Sequence, residues 1–180
     1  MSMSHKAFVF DHAHFERELR ERLLASLASD DARPLAAFIS ANRATLKDPY
    51  EGEPLGPDWR DTFRPSDVQA YADFALTKYY DPRDDLGLGT DWQEANDALE
   101  QAGLSGQVLL GTALGTPDRA LCFDPGRQGA YFQSQADVRH HLAQLAALEA
   151  RESRPSAWLR AAQAMLQAAA AAGSGLYVTF

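Results

Sequence analysis

Apolar residues recur every three or four positions along most of this chain, and between residues 108 and 133 they gather instead into short continuous runs. That change of period predicts helices first and a small sheet after them. Asp11 is followed by Phe15, Leu19, Leu23 and Leu27, a single apolar stripe that predicts a helix over residues 12–28. Asp30 or Asp31 offers a cap and Pro34 suits a first turn, so Leu35, Phe38, Ile39, Asn42 and Leu46 mark a second helix, antiparallel to the first. Pro49, Gly52, Pro54, Gly56 and Pro57 then break all regularity and make residues 48–61 a long connection. Pro65 with Ser66 or Asp67 opens a third helix through Val68, Tyr71, Ala75 and Tyr79, which must stop before Pro82. A glycine-containing loop follows, and Thr90 or Asp91 caps a fourth helix that carries Trp92, Ala95 and Leu99 and ends at Gly103.

The continuous runs are Val108–Leu114, Ala120–Phe123 and Ala130–Gln133, separated by Gly-, Pro- and Asp-rich turns. They predict a three-stranded antiparallel meander. Ser134 and Asp137 form a capping box for a fifth helix, with Val138, His141, Leu142, Leu145 and Leu148 inward. Pro155 and Ser156 start a sixth, closed by Gly173, and Leu176–Phe180 reads as a last strand. The expectation is an α+β fold, mainly helical with a small antiparallel meander of three or four strands. A single domain over 1–180 is expected, with a helical first half (1–103) and a second part (104–180) holding the meander, two helices and the terminal strand.

Charge adds a location to this outline. Residues 48–94 hold twelve carboxylates against four bases, and their net charge of −8 equals that of the whole chain. No basic stripe exists for phosphate contacts, which argues against nucleic-acid binding. The only apolar patch near the N-terminus is four residues long, so neither a signal core nor a membrane span is expected and the protein is placed in the cytoplasm. One cysteine, Cys122, lies in an apolar run and reads as a packed thiol.

Conventional catalytic patterns are weak. His12 and His14 diverge on a helix, and a His12–Glu16 pair supplies only two metal ligands. Asp81, Asp84 and Asp85 have the wrong intervals for a calcium loop, whose twelfth position is filled by Trp92. Gly87-Leu-Gly89 and Gly111–Gly115 lack the remaining residues of a nucleotide loop, and no serine sits in a nucleophile elbow. No cofactor, metal ligand set or catalytic residue is assigned.

The acidic segment is instead rich in aromatics. Tyr50, Trp59, Tyr79, Tyr80 and Trp92 are candidate anchors, and Glu51, Glu53, Asp58, Asp81, Asp84 and Asp85 are candidate steering charges for a basic protein partner. The stretch from Val108 to Leu148, with its Asp124–Gly126 turn, the aromatic pair Tyr131 and Phe132, and the Ser134-led helix, resembles immunity proteins of bacterial toxin systems, including the SMI1/KNR4-like group. The resemblance implies a non-catalytic inhibitor that binds a toxin. Two alternatives stand beside it: a small hydrolase using carboxylates of the same loops with a divalent ion, and a structural subunit that offers Leu176–Phe180 to a neighbour.

Overall fold

A computed structural model of the protein describes residues 3–116, 118 and 121–180. The chain runs β1 (Lys6–Phe10), α1 (His12–Glu18), α2 (Arg20–Ser29), α3 (Arg33–Asn42), α4 (Val68–Leu76), α5 (Trp92–Gln101), α6 (Gln107–Leu110), β2 (Thr112–Ala113), β3 (Ala130–Gln133), α7 (Gln135–Glu149), α8 (Ala157–Ala171) and β4 (Gly175–Thr179). The four strands form one antiparallel sheet in the order β1-β4-β3-β2. The fold is therefore α+β and mainly helical, as the periodicity predicts.

Alternation along the strands sorts the side chains onto two faces. Phe8, Phe10, Phe132 and Tyr177 join a cluster with Phe15, Leu23, Phe38, Tyr71 and Phe74 of α1 to α4. Ala7, Leu176 and Val178 join a second cluster with Val108, Leu145, Leu159, Met165 and Leu166, beneath α5 to α8. Helices thus cover both faces of the sheet. The register places Tyr177 opposite Phe8 on one side and Phe132 on the other, so three rings stack across neighbouring strands.

Local signals explain most of the helices. The Asp11, Asp67 and Ser134 side chains accept from the backbone N–H groups of His14, Ala70 and Asp137, and the Ser134–Asp137 capping box is complete. Four expectations need correction. The helix foreseen over 12–28 bends at Leu19 (φ −122°), although Leu19 N–H still reaches Phe15 O and Leu23 N–H reaches Leu19 O, so the ladder continues around the core. Val108–Leu110 is helical rather than extended, the short helix α6 running from Gly106 to a left-handed Gly111 (φ 89°). The second expected strand is reduced to one bridge between Gly115 and Cys122, and its first residue, Ala120, lies outside the described residues. The sheet also reaches into the first half of the chain, since β1 pairs along its whole length with β4.

The free edge of β1 is covered. Leu86 N–H donates to Ala7 O (2.8 Å), and His5 and Gly89 exchange two backbone hydrogen bonds (2.9 and 3.0 Å). Leu88 N–H donates to Nδ1 of the buried His5 (3.2 Å), whose pKa is lowered by burial. Gly87 is required here, because a Cβ at that position would sit 2.1 Å from the His5 carbonyl oxygen. The loop that looked irregular in sequence is thereby a guard strand in function. β4, by contrast, is paired on both sides, so the terminal strand has no edge left for a neighbour.

Candidate partner-binding site

Two loops of the acidic segment are built to stand together. The first turns back on itself: Asp48 N–H donates to Glu53 O (2.8 Å), Leu55 N–H to Leu46 O (3.0 Å) and Gly52 N–H to Asp48 O (2.8 Å). The Asp48 carboxylate accepts from the N–H groups of Tyr50 (2.7 Å) and Glu51 (2.9 Å), which fixes the tip. The second loop begins at Asp81, whose carboxylate pairs with Lys47 and also accepts from Arg83 N–H; both contacts, Lys47 first, hold its pKa below the usual carboxylate range. Arg83 then reaches across to Glu53 at 2.5 Å. Gly52, at φ 68°, lies against the Arg83 stem so closely that a Cβ would approach Arg83 Cγ to 2.6 Å. Two ion pairs and one glycine therefore hold the loops side by side.

The proposed anchors separate on this frame. Tyr50 is 73% exposed at the tip of the first loop, and Leu86, 37% exposed, stands on the second; they are the exposed large hydrophobics among the described residues. Trp59 is buried against Phe63 and Tyr71, with the Arg60 guanidinium over its ring. Tyr79 is buried between Phe10 and Phe15, and its hydroxyl donates to Glu18 (3.1 Å). Trp92 belongs to the other face of the sheet, packed on Phe180 with its indole N–H on Met3 O. Tyr80 is buried, yet it shares a cavity wall with Tyr50.

The carboxylates also divide by role. Glu51, Glu53, Asp58 and Asp84 are exposed, and a shallow groove of about 330 Å³ brings Glu51, Glu53 and Asp58 beside Trp59. Asp85 is exposed as well, but its carboxylate accepts from the N–H groups of Ala7 (3.0 Å) and Gly87 (2.8 Å), so it fastens the loop to β1.

On the other side of the Tyr50 tip lies a cavity of about 150 Å³. Its wall includes Phe8, Tyr80 and Tyr177, whose rings pack at centroid distances of 4.9 Å (Phe8–Tyr80), 5.1 Å (Tyr80–Tyr177) and 6.2 Å (Phe8–Tyr177). Asp73 of α4 also lines it, although the residue is only 5% exposed. Burial pushes the Asp73 carboxyl up to about 7; an interaction with the Tyr50 hydroxyl lowers it and the nearby Asp48 charge raises it. Partial burial and the facing Asp73 carboxyl in turn push the Tyr50 phenol up to about 12. In the sequence Asp73 is one acid among the twelve of this segment. Its signal was position: it is the one charged residue in the otherwise apolar run Tyr71–Leu76.

Elsewhere, His14 Nδ1 lies 2.6 Å from Asp11 and His12 Nε2 lies 3.7 Å from Glu16, each a local helical pair. Among the described residues no group of three or more His, Cys, Asp and Glu is arranged for a metal ion, and no helix is long and apolar enough to cross a membrane. Cys122 is half-buried, and burial pushes its thiol up, away from a reactive thiolate. Comparison with family models, curated proteins and solved structures returned no match.

Proposed function

We propose that this protein is a binding module that captures a basic protein partner through its two acidic loops, in the manner of an immunity-type inhibitor of a toxin. The observation that carries the reading is the position of the exposed apolar groups. Tyr50 and Leu86 stand on the two loops that hold Glu51, Glu53, Asp81, Asp84 and Asp85. An isolated apolar side chain on a surface needs no explanation, but a tyrosine fixed at a loop tip amid a concentrated negative charge has the composition of an interface centre. Long-range attraction speeds encounter with a basic surface, and a desolvated aromatic then slows dissociation. The internal pairs Lys47–Asp81 and Glu53–Arg83 hold the loops in place before binding, which reduces the ordering cost of association.

The test begins with affinity capture from the source organism at low salt, followed by titration of the purified partner against variants. The expected partner is basic and binds one to one. Replacing Tyr50 by Ala should weaken it by ~30-fold, the loss of one central hot spot, and Asp84→Lys should slow association and flatten the salt dependence. A partner bound equally by the wild type and both variants would remove these loops as the interface.

A further inference from the structure

The cavity beneath the Tyr50 tip has features that a solvated acidic loop does not need. Its volume of about 150 Å³ is below the roughly 300–1,000 Å³ of sites for drug-sized ligands, and equals about five times the ~30 Å³ that a liquid water occupies. That size matches a single side chain more closely than a nucleotide. Its lining includes the aromatic residues Phe8, Tyr50, Tyr80 and Tyr177, and its buried acid is Asp73. None of the ion pairs among the described residues involves Asp73. Lys6 of β1 also lines the cavity, and the charges of Asp48, Asp67 and Asp124 act on its carboxyl or its tyrosines.

We propose that this cavity is a cage for one lysine side chain of the basic partner, its ammonium seated among the tyrosine rings with the Asp73 carboxylate as counter-charge. Aromatic faces attract a cation through their negative quadrupole, and the attraction grows when water is excluded. An ammonium on a slim four-carbon stem is the more compact cation and suits a narrow cavity, whereas a guanidinium is a wider planar fork that must reach both oxygens of a carboxylate side by side. Burying a carboxylate without a cation costs free energy, and that burial is what raises the Asp73 pKa to about 7. An entering ammonium replaces the carboxyl proton as the source of positive charge. The lysine donor rests on the partner-binding reading above, while the cage itself does not.

The test uses the full chain and n-butylammonium chloride as the probe, with n-butanol as the neutral isostere, followed by the ring signals of Tyr50, Tyr80 and Tyr177 in NMR spectra. At about pH 8, saturable shifts are expected with butylammonium, at an affinity at least ~10-fold above that for butanol. Asp73→Asn, which keeps the shape of the protonated acid, should lower it by ~10-fold or more, as should a change to about pH 5.5. Tyr50→Ala, at an exposed position, is the second variant should Asp73→Asn fail to fold, and it should cost ~3-fold or more. Equal binding of butanol, or unchanged affinity in the substituted proteins, would overturn the cage. A captured partner whose affinity ignores Asp73→Asn would also overturn it while leaving the acidic-loop reading intact. Butylammonium binding that depends on Asp73, with a partner indifferent to the loop variants, would keep the cage and remove that reading.

Discussion

The two faces of the sheet solve the same packing problem with different side chains. Against α7 and α8 the sheet presents Ala7, Leu176 and Val178, and the helices answer with Leu145, Leu159, Ala162, Met165 and Leu166. Against α1 to α4 it presents Phe8, Phe10, Phe132 and Tyr177, and the helices answer with the rings of Phe15, Phe38, Tyr71 and Phe74 set among aliphatic side chains. Branched aliphatic chains interdigitate and seal the space between layers. Flat rings meet at tilts as well as stacked, as Phe8, Tyr80 and Tyr177 do, and these three line a cavity beside the Asp73 carboxyl. One face therefore supplies cohesion, and the other supplies both cohesion and an opening to solvent.

The sharpest way to break this contrast is in the sealed face. Leu166→Ala removes a fully buried side chain and should cost ~2–5 kcal/mol in urea unfolding, since the surrounding helices cannot close the hole. Next is the opposite face, where a change should stabilise. Asp73 titrates at about 7 folded against 3.8 as its ordinary value. Between these values the folded protein holds a proton that the unfolded chain has released, so stability falls as pH rises through that window and the penalty is complete above it. Asp73→Asn should thus raise stability at about pH 8 by up to ~4 kcal/mol and change little at about pH 4, measured as thermal midpoints across pH. Equal effects at both pH values would show that Asp73 is not buried as a titrating acid.

A third change tests the edge that the faces share. Gly87→Ala places a methyl on the His5 carbonyl oxygen and should cost ~1–3 kcal/mol, with faster hydrogen exchange at Ala7 and Leu86. The smallest effect is expected at Tyr50→Ala, about 1 kcal/mol, because the ring is mostly in solvent and its hydroxyl contact to Asp73 is the buried interaction lost. Such a variant separates binding from folding.

Helices were legible in the sequence because their signals are local. Asp67, Ser134 with Asp137, and Gly173 each mark an end through a contact no more than a few residues long. The sheet was harder to read for the opposite reason. β1 is covered on both faces, so Lys6–Phe10 shows an apolar patch in place of the alternation that identifies a half-buried strand. Val108–Leu110 has the same look but curls into α6, a choice made by its flanking glycines and its tertiary neighbours. The acidic loops were visible as charge and aromatics, yet which aromatic stays outside is decided by packing across the whole chain. Trp59 and Tyr79 turn inward because α4 brings Tyr71 and the sheet brings Phe10 to meet them. Asp73 was hidden among other acids because burial is a property of its surroundings.

The guard segment along β1 has a consequence for engineering. Leu86 and Gly89 hold that edge by main-chain hydrogen bonds, and the first loop closes on itself through Asp48, Gly52 and Glu53 in the same way. Backbone contacts do not depend on which side chains face outward. The identities of residues 51, 84 and 86 are therefore free to be rewritten on an unchanged scaffold, so a library varied at those positions should yield binders with new targets and the same melting behaviour.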